Sequence, residues 1–135
     1  MNISKQVIIL SAERTTNAPE QNAQVTEILK GCLLDCNIAF NEAVGVFNNG
    51  PAEASLVAIV NSQTEIEVVT DFAFKNFNQD AIVLQDANQE AHLITKEGTT
   101  ERLGRLELVS KEVALDKGSY TLLNGQYYTT IPRKS

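Results

Sequence analysis

The sequence predicts an α+β fold, a ferredoxin-like sandwich in which two helices cover one face of an antiparallel sheet. Apolar segments in residues 1–84 follow the order β-α-β-β-α-β, which is the order of the split β-α-β motif. The length of 135 residues is typical of one domain. We therefore expect a single domain over residues 1–135, with a ferredoxin-like core in residues 1–84 and a C-terminal β extension in residues 85–135.

The elements of the first half follow from the spacing of apolar residues. The run Val7–Leu10 predicts a central strand, since a short and continuous apolar segment is typical of a strand buried on both faces. Apolar side chains then recur at intervals of three and four, which predicts a helix over residues 22–36. Two strands are expected next, over residues 43–47 and 56–60, with a Gly/Pro/Asn loop between them.

A second helix and a fourth strand complete the predicted core. Ser62 or Thr64 is a candidate N-cap, and an apolar stripe extends from there to Phe77. Residues 81–84 form the next apolar run and predict the fourth strand.

The C-terminal extension is predicted to consist of strands. Candidate strands are Ala91–Thr95 and residues 106–109. Asn124 and Gly125 separate two further strand patterns, residues 120–123 and 126–131, which predicts a hairpin with a type I′ turn.

The buried strands of this core are apolar on both faces, whereas two helices can cover only one face of the sheet. The other face must be covered by the C-terminal extension, by another subunit, or by both. We expect an oligomer.

Composition limits the possible partners and compartments. A net charge of −6 and a pI near 4.7 argue against a nucleic-acid partner, which requires a cationic surface. Two cysteines, Cys32 and Cys36, and one histidine are too few for a zinc cage or a disulfide framework. We interpret both cysteines as apolar core residues. The chain shows no signal peptide and no apolar run of membrane-spanning length, so we expect a cytoplasmic protein without a membrane partner.

Two acidic segments lie beside predicted core strands. Glu53, in the segment 45–55, introduces one strand, and Asp80, in the segment 77–80, introduces another. Carboxylates beside glycine, amide and aromatic residues at the ends of core strands indicate a site for a cationic small molecule. The alternative is a loop-end charge for Glu53 and a turn residue for Asp80, and local sequence alone favours this alternative. No standard catalytic motif is present, and the single His92 is best interpreted as structural.

Several segments together resemble the phage-encoded S-adenosylmethionine (SAM) lyases, also called SAM hydrolases. The resemblance covers most of the chain and is clearest where an aromatic residue, a Gln–acid pair and an apolar strand follow one another in residues 77–84. The remaining matching segments are residues 11–14, Asn22, residues 45–47, Glu53 and residues 101–104.

The resemblance implies a trimer of ferredoxin-like subunits with active sites between subunits. It implies cleavage of SAM to 5′-methylthioadenosine and homoserine lactone by attack of the substrate's own carboxylate, a phage counter-defence activity in the host cytoplasm. No cofactor or metal is expected, because the substrate carries both nucleophile and leaving group. Glu53 matches the essential glutamate of the family, whereas the family often has tyrosine where Phe47 stands. The expected substrate-binding residues are Phe47, Ser55, Phe77, Gln79, Asp80, Ser11 and Arg14.

Three other functions remain open at this point. A related lyase could act on SAM-AMP, the nucleotide conjugate of SAM, with Arg102 or Arg105 meeting the added phosphate. A trimeric nucleotide-binding module could sense or sequester a nucleotide signal without turnover. A structural phage protein is the third possibility.

Overall fold

Eight antiparallel strands close into a barrel in the computed structural model, which describes residues 5–132. Around the barrel, the order of the strands is β1-β3-β2-β7-β8-β6-β5-β4. Their bounds are β1 Val7–Leu10, β2 Phe40–Val46, β3 Glu53–Ile59, β4 Ala81–Gln85, β5 Ala91–Thr95, β6 Thr100–Val109, β7 Tyr120–Leu123 and β8 Gln126–Ile131.

The first half of the chain has the predicted β-α-β-β-α-β order. Helix α1, Pro19–Asp35, connects β1 to β2, and helix α2, Gln63–Asp71, leads from β3 towards β4. The side chain of Ser62 accepts a hydrogen bond from the Glu65 N–H and so caps α2, as one of the two predicted caps. Strand β1 pairs with β3 on one side and with β4 on the other, and β3 pairs with β2.

The prediction of a ferredoxin-like sandwich is nevertheless wrong. The sheet does not end at β2 and β4, because β7 pairs with β2 and β5 pairs with β4. Pairings of β5 with β6, β6 with β8 and β7 with β8 complete the circle. Closure removes the open edges that a sandwich would leave unpaired. The strands β5, β6, β7 and β8, within residues 91–131, supply half of the barrel.

Two apolar clusters explain why the central strands are apolar on both faces. Outside the barrel, Leu29 and Leu33 of α1 and Val69 of α2 pack against Ile8 and Leu56. Inside it, the second cluster is Val7, Ile9, Val57, Leu123 and Tyr128. The C-terminal strands thus cover the second face within one chain. The apolar character of both strand faces is therefore explained without another subunit.

A third helix, α3, Lys111–Lys117, was missed by the sequence analysis. It connects β6 to β7, which both pair with β8, and it contacts β7 and β8. Ser110 caps its first turn by accepting from the Val113 N–H, and Gly118 ends it at a φ of 79°. Both residues are sequence signals for the ends of a helix. No helix within residues 5–132 combines the length and the apolar character needed to cross a membrane.

An irregularity at Gly104 changes which side chains of β6 face the interior. The register between β5 and β6 shifts between Ala91 and His92, and Gly104 has a φ of 101°. A Cβ at this position would lie 2.0 Å from the carbonyl oxygen of Ile131 on β8. Only glycine therefore permits this close approach of β6 and β8.

The terminal hairpin has the predicted turn, whereas the two cysteines differ in their exposure. Asn124 and Gly125 have φ values of 52° and 77°, and the positive sign at both positions agrees with the predicted type I′ turn. Cys32 packs against the outer cluster, as expected, but Cys36 is exposed at the end of α1.

Candidate active site

A cavity of about 660 Å³ opens at one end of the barrel. It lies where β1 and β2 end and where β3 and β4 begin. Its apolar lining includes Ile9, Val83, Leu106 and Tyr128, which belong to the cluster inside the barrel. Polar side chains from the surrounding loops line the remainder. The volume falls in the range of small-molecule and cofactor sites.

The segment after β1 is fixed by side chains from three directions. Ser11 Oγ donates to the Ala54 carbonyl oxygen at 2.7 Å and accepts from the Glu13 N–H at 3.0 Å. Gln79 Nε2 donates to the Glu13 carbonyl oxygen at 3.1 Å. Ser11 and Glu13 both line the cavity. These hydrogen bonds within the protein therefore hold their backbone in place.

Gln79 and Asp80 reach the cavity through a turn of π-helix. Residues Phe72–Asn76 form this turn at the end of α2, and the Gln79 N–H donates to the Ala73 carbonyl oxygen at 2.9 Å. Gln79 is buried and Asp80 is exposed, and both line the cavity. Gln79 Nε2 donates to the Glu13 and Phe77 carbonyl oxygens. Its amide group therefore holds the backbone around the cavity in place.

Glu53, the first residue of β3, is half-buried in the cavity wall opposite Gly45. Burial raises the pKa of this carboxyl above its ordinary value, and the charge of Glu13 raises it further. The Arg14 guanidinium lowers the pKa, and Asp80 raises it more weakly. Desolvation and two neighbouring carboxylates thus make an unneutralised charge on Glu53 unfavourable.

Phe47 lies at the cavity entrance with 60% of its surface exposed. The loop that carries it contains two left-handed residues, Asn48 and Asn49. The Asn48 N–H donates to Ser119 Oγ at 2.9 Å, and the Asn49 N–H donates to the Gly118 carbonyl oxygen at 2.7 Å. The entrance loop is therefore attached to the connection between α3 and β7.

The structure brings together all but one of the residues that the sequence indicated. The exception is Phe77, which is 9% exposed in the outer core cluster and is not part of the cavity lining. The residues that do line the cavity are Ser11, Arg14, Phe47, Glu53, Ser55, Gln79 and Asp80.

Several lining residues were not identified from the sequence. Glu13 lies between Ser11 and Arg14, which the sequence did indicate. Its place in the matching segment 11–14 was the signal that could have identified it. Tyr120, Thr121 and Tyr128 come from the hairpin strands, whose place in the barrel follows only from closure.

The charged lining of the cavity is predominantly acidic. Glu13, Glu53, Asp80 and Glu101 supply carboxylates, whereas Arg14 is the one cationic side chain among the lining residues of the described chain. Such a lining favours a ligand that carries positive charge. In residues 5–132, no group of three or more His, Cys, Asp or Glu side chains is arranged to hold a metal ion.

Three residues considered in the sequence analysis lie outside the lining. Arg102 forms an ion pair with Glu90, and Arg105 donates a hydrogen bond to Gln89. His92 Nε2 lies 2.9 Å from Asp86 Oδ2, a contact consistent with a structural role.

Comparison with known proteins identifies a family. The family model described as the S-Adenosylmethionine lyase family matches residues 8–131, which includes every strand except the first residue of β1. No curated protein matches the chain. The chain therefore belongs to the S-adenosylmethionine lyase family, enzymes that cleave S-adenosylmethionine.

Proposed function

We propose that the enzyme converts SAM to 5′-methylthioadenosine and homoserine lactone. A carboxylate oxygen of the methionine moiety attacks its own γ-carbon and forms the C–O bond of the lactone. The bond between the γ-carbon and sulfur breaks, and its electron pair stays on sulfur. The carboxylate and sulfonium charges disappear together, so the step requires no proton transfer, water molecule, cofactor or metal.

The observation that carries this proposal is the environment of Glu53. Its carboxylate lies in a cavity wall where burial and two neighbouring carboxylates disfavour its charge. A cationic ligand would relieve this unfavourable charge, and SAM carries both an ammonium and a sulfonium. The acidic lining is thus complementary to the substrate.

The two positive groups of SAM place different demands on the carboxylates. The sulfonium loses its charge in the reaction, so a carboxylate that stabilised it would stabilise the ground state more than the transition state. The ammonium keeps its charge throughout. We therefore assign Glu53 and Glu13 to the ammonium, where they fix the methionine chain without opposing the chemistry.

Lactone closure depends on the conformation of the substrate and on the medium. Intramolecular alignment of nucleophile and carbon can contribute about 7–11 kcal/mol. The apolar residues of the barrel interior, including Ile9, Val83 and Leu106, line the same cavity. Exclusion of water by this lining favours lactone closure, because this step neutralises two opposite charges.

Phe47 is the aromatic residue placed to meet the adenine. Its exposed ring lies at the cavity entrance, where a purine can stack against it. Phe77 cannot do so from the core without unfolding the helix–sheet contact around it.

We propose SAM itself, and not SAM-AMP, as the substrate. Arg102 and Arg105 are engaged with Glu90 and Gln89, and the charged lining is mainly acidic. An added phosphate would meet carboxylates. Cleavage of SAM in a host cytoplasm would remove the methyl donor on which methylation-dependent host defence relies. This is the counter-defence role that we propose.

A homotrimer with active sites between subunits also remains part of the proposal. Val44 on β2 and Phe47 just beyond it are 38% and 60% exposed, and Phe47 lies at the entrance. A neighbouring subunit that covered these side chains would help to close the site. Light scattering should give about three times the chain mass of 14.8 kDa.

The experiment that tests the function is product analysis after incubation of the purified protein with SAM or with SAM-AMP. Methylthioadenosine and homoserine lactone should appear from SAM, faster than from the conjugate. If neither compound is consumed while adenine nucleotides raise the melting temperature, a non-catalytic nucleotide-binding module is the correct reading.

A further inference from the structure

The side chain of Asn22 binds the backbone of Arg14 on both sides. The Arg14 N–H donates to Asn22 Oδ1 at 2.9 Å, and Asn22 Nδ2 donates to the Arg14 carbonyl oxygen at 3.0 Å. Asn17 adds two further bonds, from its Nδ2 to Asn22 Oδ1 at 3.1 Å and from its N–H to the Arg14 carbonyl oxygen at 3.0 Å. Residue 14 is therefore fixed from the first turns of α1.

We propose that Asn22 is a positioning residue of the active site that acts through Arg14 on the Glu53 carboxylate. This inference rests on the proposed function, in which an ionised Glu53 contacts the substrate. Asn22 itself is absent from the cavity lining, so its effect on catalysis must pass through the residue that it holds.

The chemistry of the carboxamide explains why asparagine suits this position. One amide group offers a donor and an acceptor side by side, which matches the N–H and the carbonyl of a single residue. Leucine has nearly the same shape but can make neither bond. The Arg14 N–H would then lose its Asn22 partner, at a cost if it is buried, and the Arg14 carbonyl oxygen would keep only the bond from the Asn17 N–H.

Arg14 transmits the position of Asn22 to the cavity. Its guanidinium Nη1 donates to the Asn78 carbonyl oxygen, and the side chain lines the cavity. Asn78 has a φ of 51°, and its side chain accepts from Lys96 Nζ. This contact joins the loop after β1 to the loop before β4 and holds the guanidinium in place.

The charged groups around Glu53 determine how the Arg14 guanidinium affects the ionisation of the Glu53 carboxyl. Glu13 and Asp80 raise the pKa of the Glu53 carboxyl, as does its burial, and Arg14 opposes them. Glu101 of β6, Tyr120 and Tyr128 line the same cavity, and the Tyr128 hydroxyl group donates to Gln126 Oε1. If Arg14 moves away, the remaining charged neighbours are carboxylates, and the Glu53 pKa rises. More of the enzyme is then protonated at Glu53 and inactive at acidic pH.

The test is the pH profile of kcat/KM for Asn22→Leu. We expect kcat/KM at neutral pH to fall about tenfold or more, since a displacement of about 1 Å remote from the chemistry can cost about 10²-fold. The acid limb of the profile should move to higher pH, because kcat/KM reports the free enzyme's ionisations. Thr26→Val is the matched control: it removes the bond from Thr26 Oγ1 to the Asn22 carbonyl oxygen and leaves the Asn22 amide intact.

A double-mutant cycle with Arg14→Gln separates a positioning role from a structural one. If Asn22 acts through Arg14, Asn22→Leu should not move the acid limb further in the Arg14→Gln background. An acid limb that stays in place in Asn22→Leu, or a shift of equal size in both backgrounds, contradicts the inference. Asn22→Ala, which favours the helix, serves if the leucine variant does not fold. Inactivity of the unmodified enzyme would instead overturn the proposed function.

Discussion

Gly45 and Glu53 lie opposite each other on β2 and β3, so the carboxylate enters the cavity beside a residue without a side chain. A Cβ at position 45 would lie 2.7 Å from Ser55 Oγ, which also lines the cavity. The glycine thus leaves room beside both polar residues. This arrangement makes Glu53 the first residue to test.

Glu53→Gln should reduce kcat/KM about 10²-fold or more, because the amide keeps the shape of the side chain but cannot fix a cation in place. Its melting temperature at neutral pH should be unchanged or higher. A folded-state pKa that is raised means that Glu53 contributes stability below its unfolded pKa and loses it as pH rises through the folded pKa. Activity within a few-fold of the unmodified enzyme would refute the assigned role. Glu107→Gln, at an exposed position on β6, is the control.

Glu13→Gln should move the acid limb of kcat/KM to lower pH. The charge of Glu13 raises the pKa of Glu53, so its removal lets Glu53 ionise more readily. The KM for SAM should rise as well, because one of the two carboxylates assigned to the ammonium is lost. Measured rates over a pH series decide this, and a limb that moves to higher pH would be incompatible with the electrostatics described.

Phe47→Ala should raise the KM for SAM about tenfold, since stacking of a base on an aromatic ring is worth about 1–3 kcal/mol. Phe47→Tyr should stay close to the unmodified enzyme. Phe77→Leu is the comparison in the core: it should lower the melting temperature and leave KM nearly unchanged. If the effects on KM and melting temperature are exchanged between positions 47 and 77, the assignment of the adenine to Phe47 is wrong.

Gly104→Ala should lower the free energy of unfolding by about 3 kcal/mol or more, because it combines backbone strain with a steric clash. The clash is with the Ile131 carbonyl oxygen, 2.0 Å from the added Cβ. Gly98→Ala is a matched control with a φ of 90° and no heavy atom within 4 Å, and it should cost only about 1–2 kcal/mol. Equal losses in urea unfolding would argue against the close approach of β6 and β8.

The sequence predicted most elements but not how the sheet closes. β1, β5 and the terminal hairpin have the predicted bounds, since short apolar runs and the Asn124–Gly125 turn are local signals. Closure depends on the pairing of β2 with β7, residues about 76 positions apart, and no local pattern encodes such a contact. The apolar character of both strand faces was compatible with a barrel, but another subunit could have explained it equally well.

The candidate site was easier to predict where a family motif carried it. Glu53, Gln79 and Asp80 were indicated by their segments, and all three line the cavity. Phe77 was misplaced because its neighbours are in the cavity, whereas its own position continues the apolar stripe of α2 into the core. The role that we propose for Asn22 depends on hydrogen bonds to a residue eight positions away, which sequence spacing alone does not reveal.

The origin of the γ-oxygen in the product tests the central claim most directly. The enzyme is incubated with SAM in water labelled with oxygen-18, and early products are examined by mass spectrometry. Intramolecular closure predicts an unlabelled lactone, and homoserine formed from it by later hydrolysis at the acyl carbon should carry the label only in its carboxyl group. Oxygen-18 in the γ-hydroxyl group of homoserine would show that water attacks the γ-carbon and would contradict the proposed lyase chemistry.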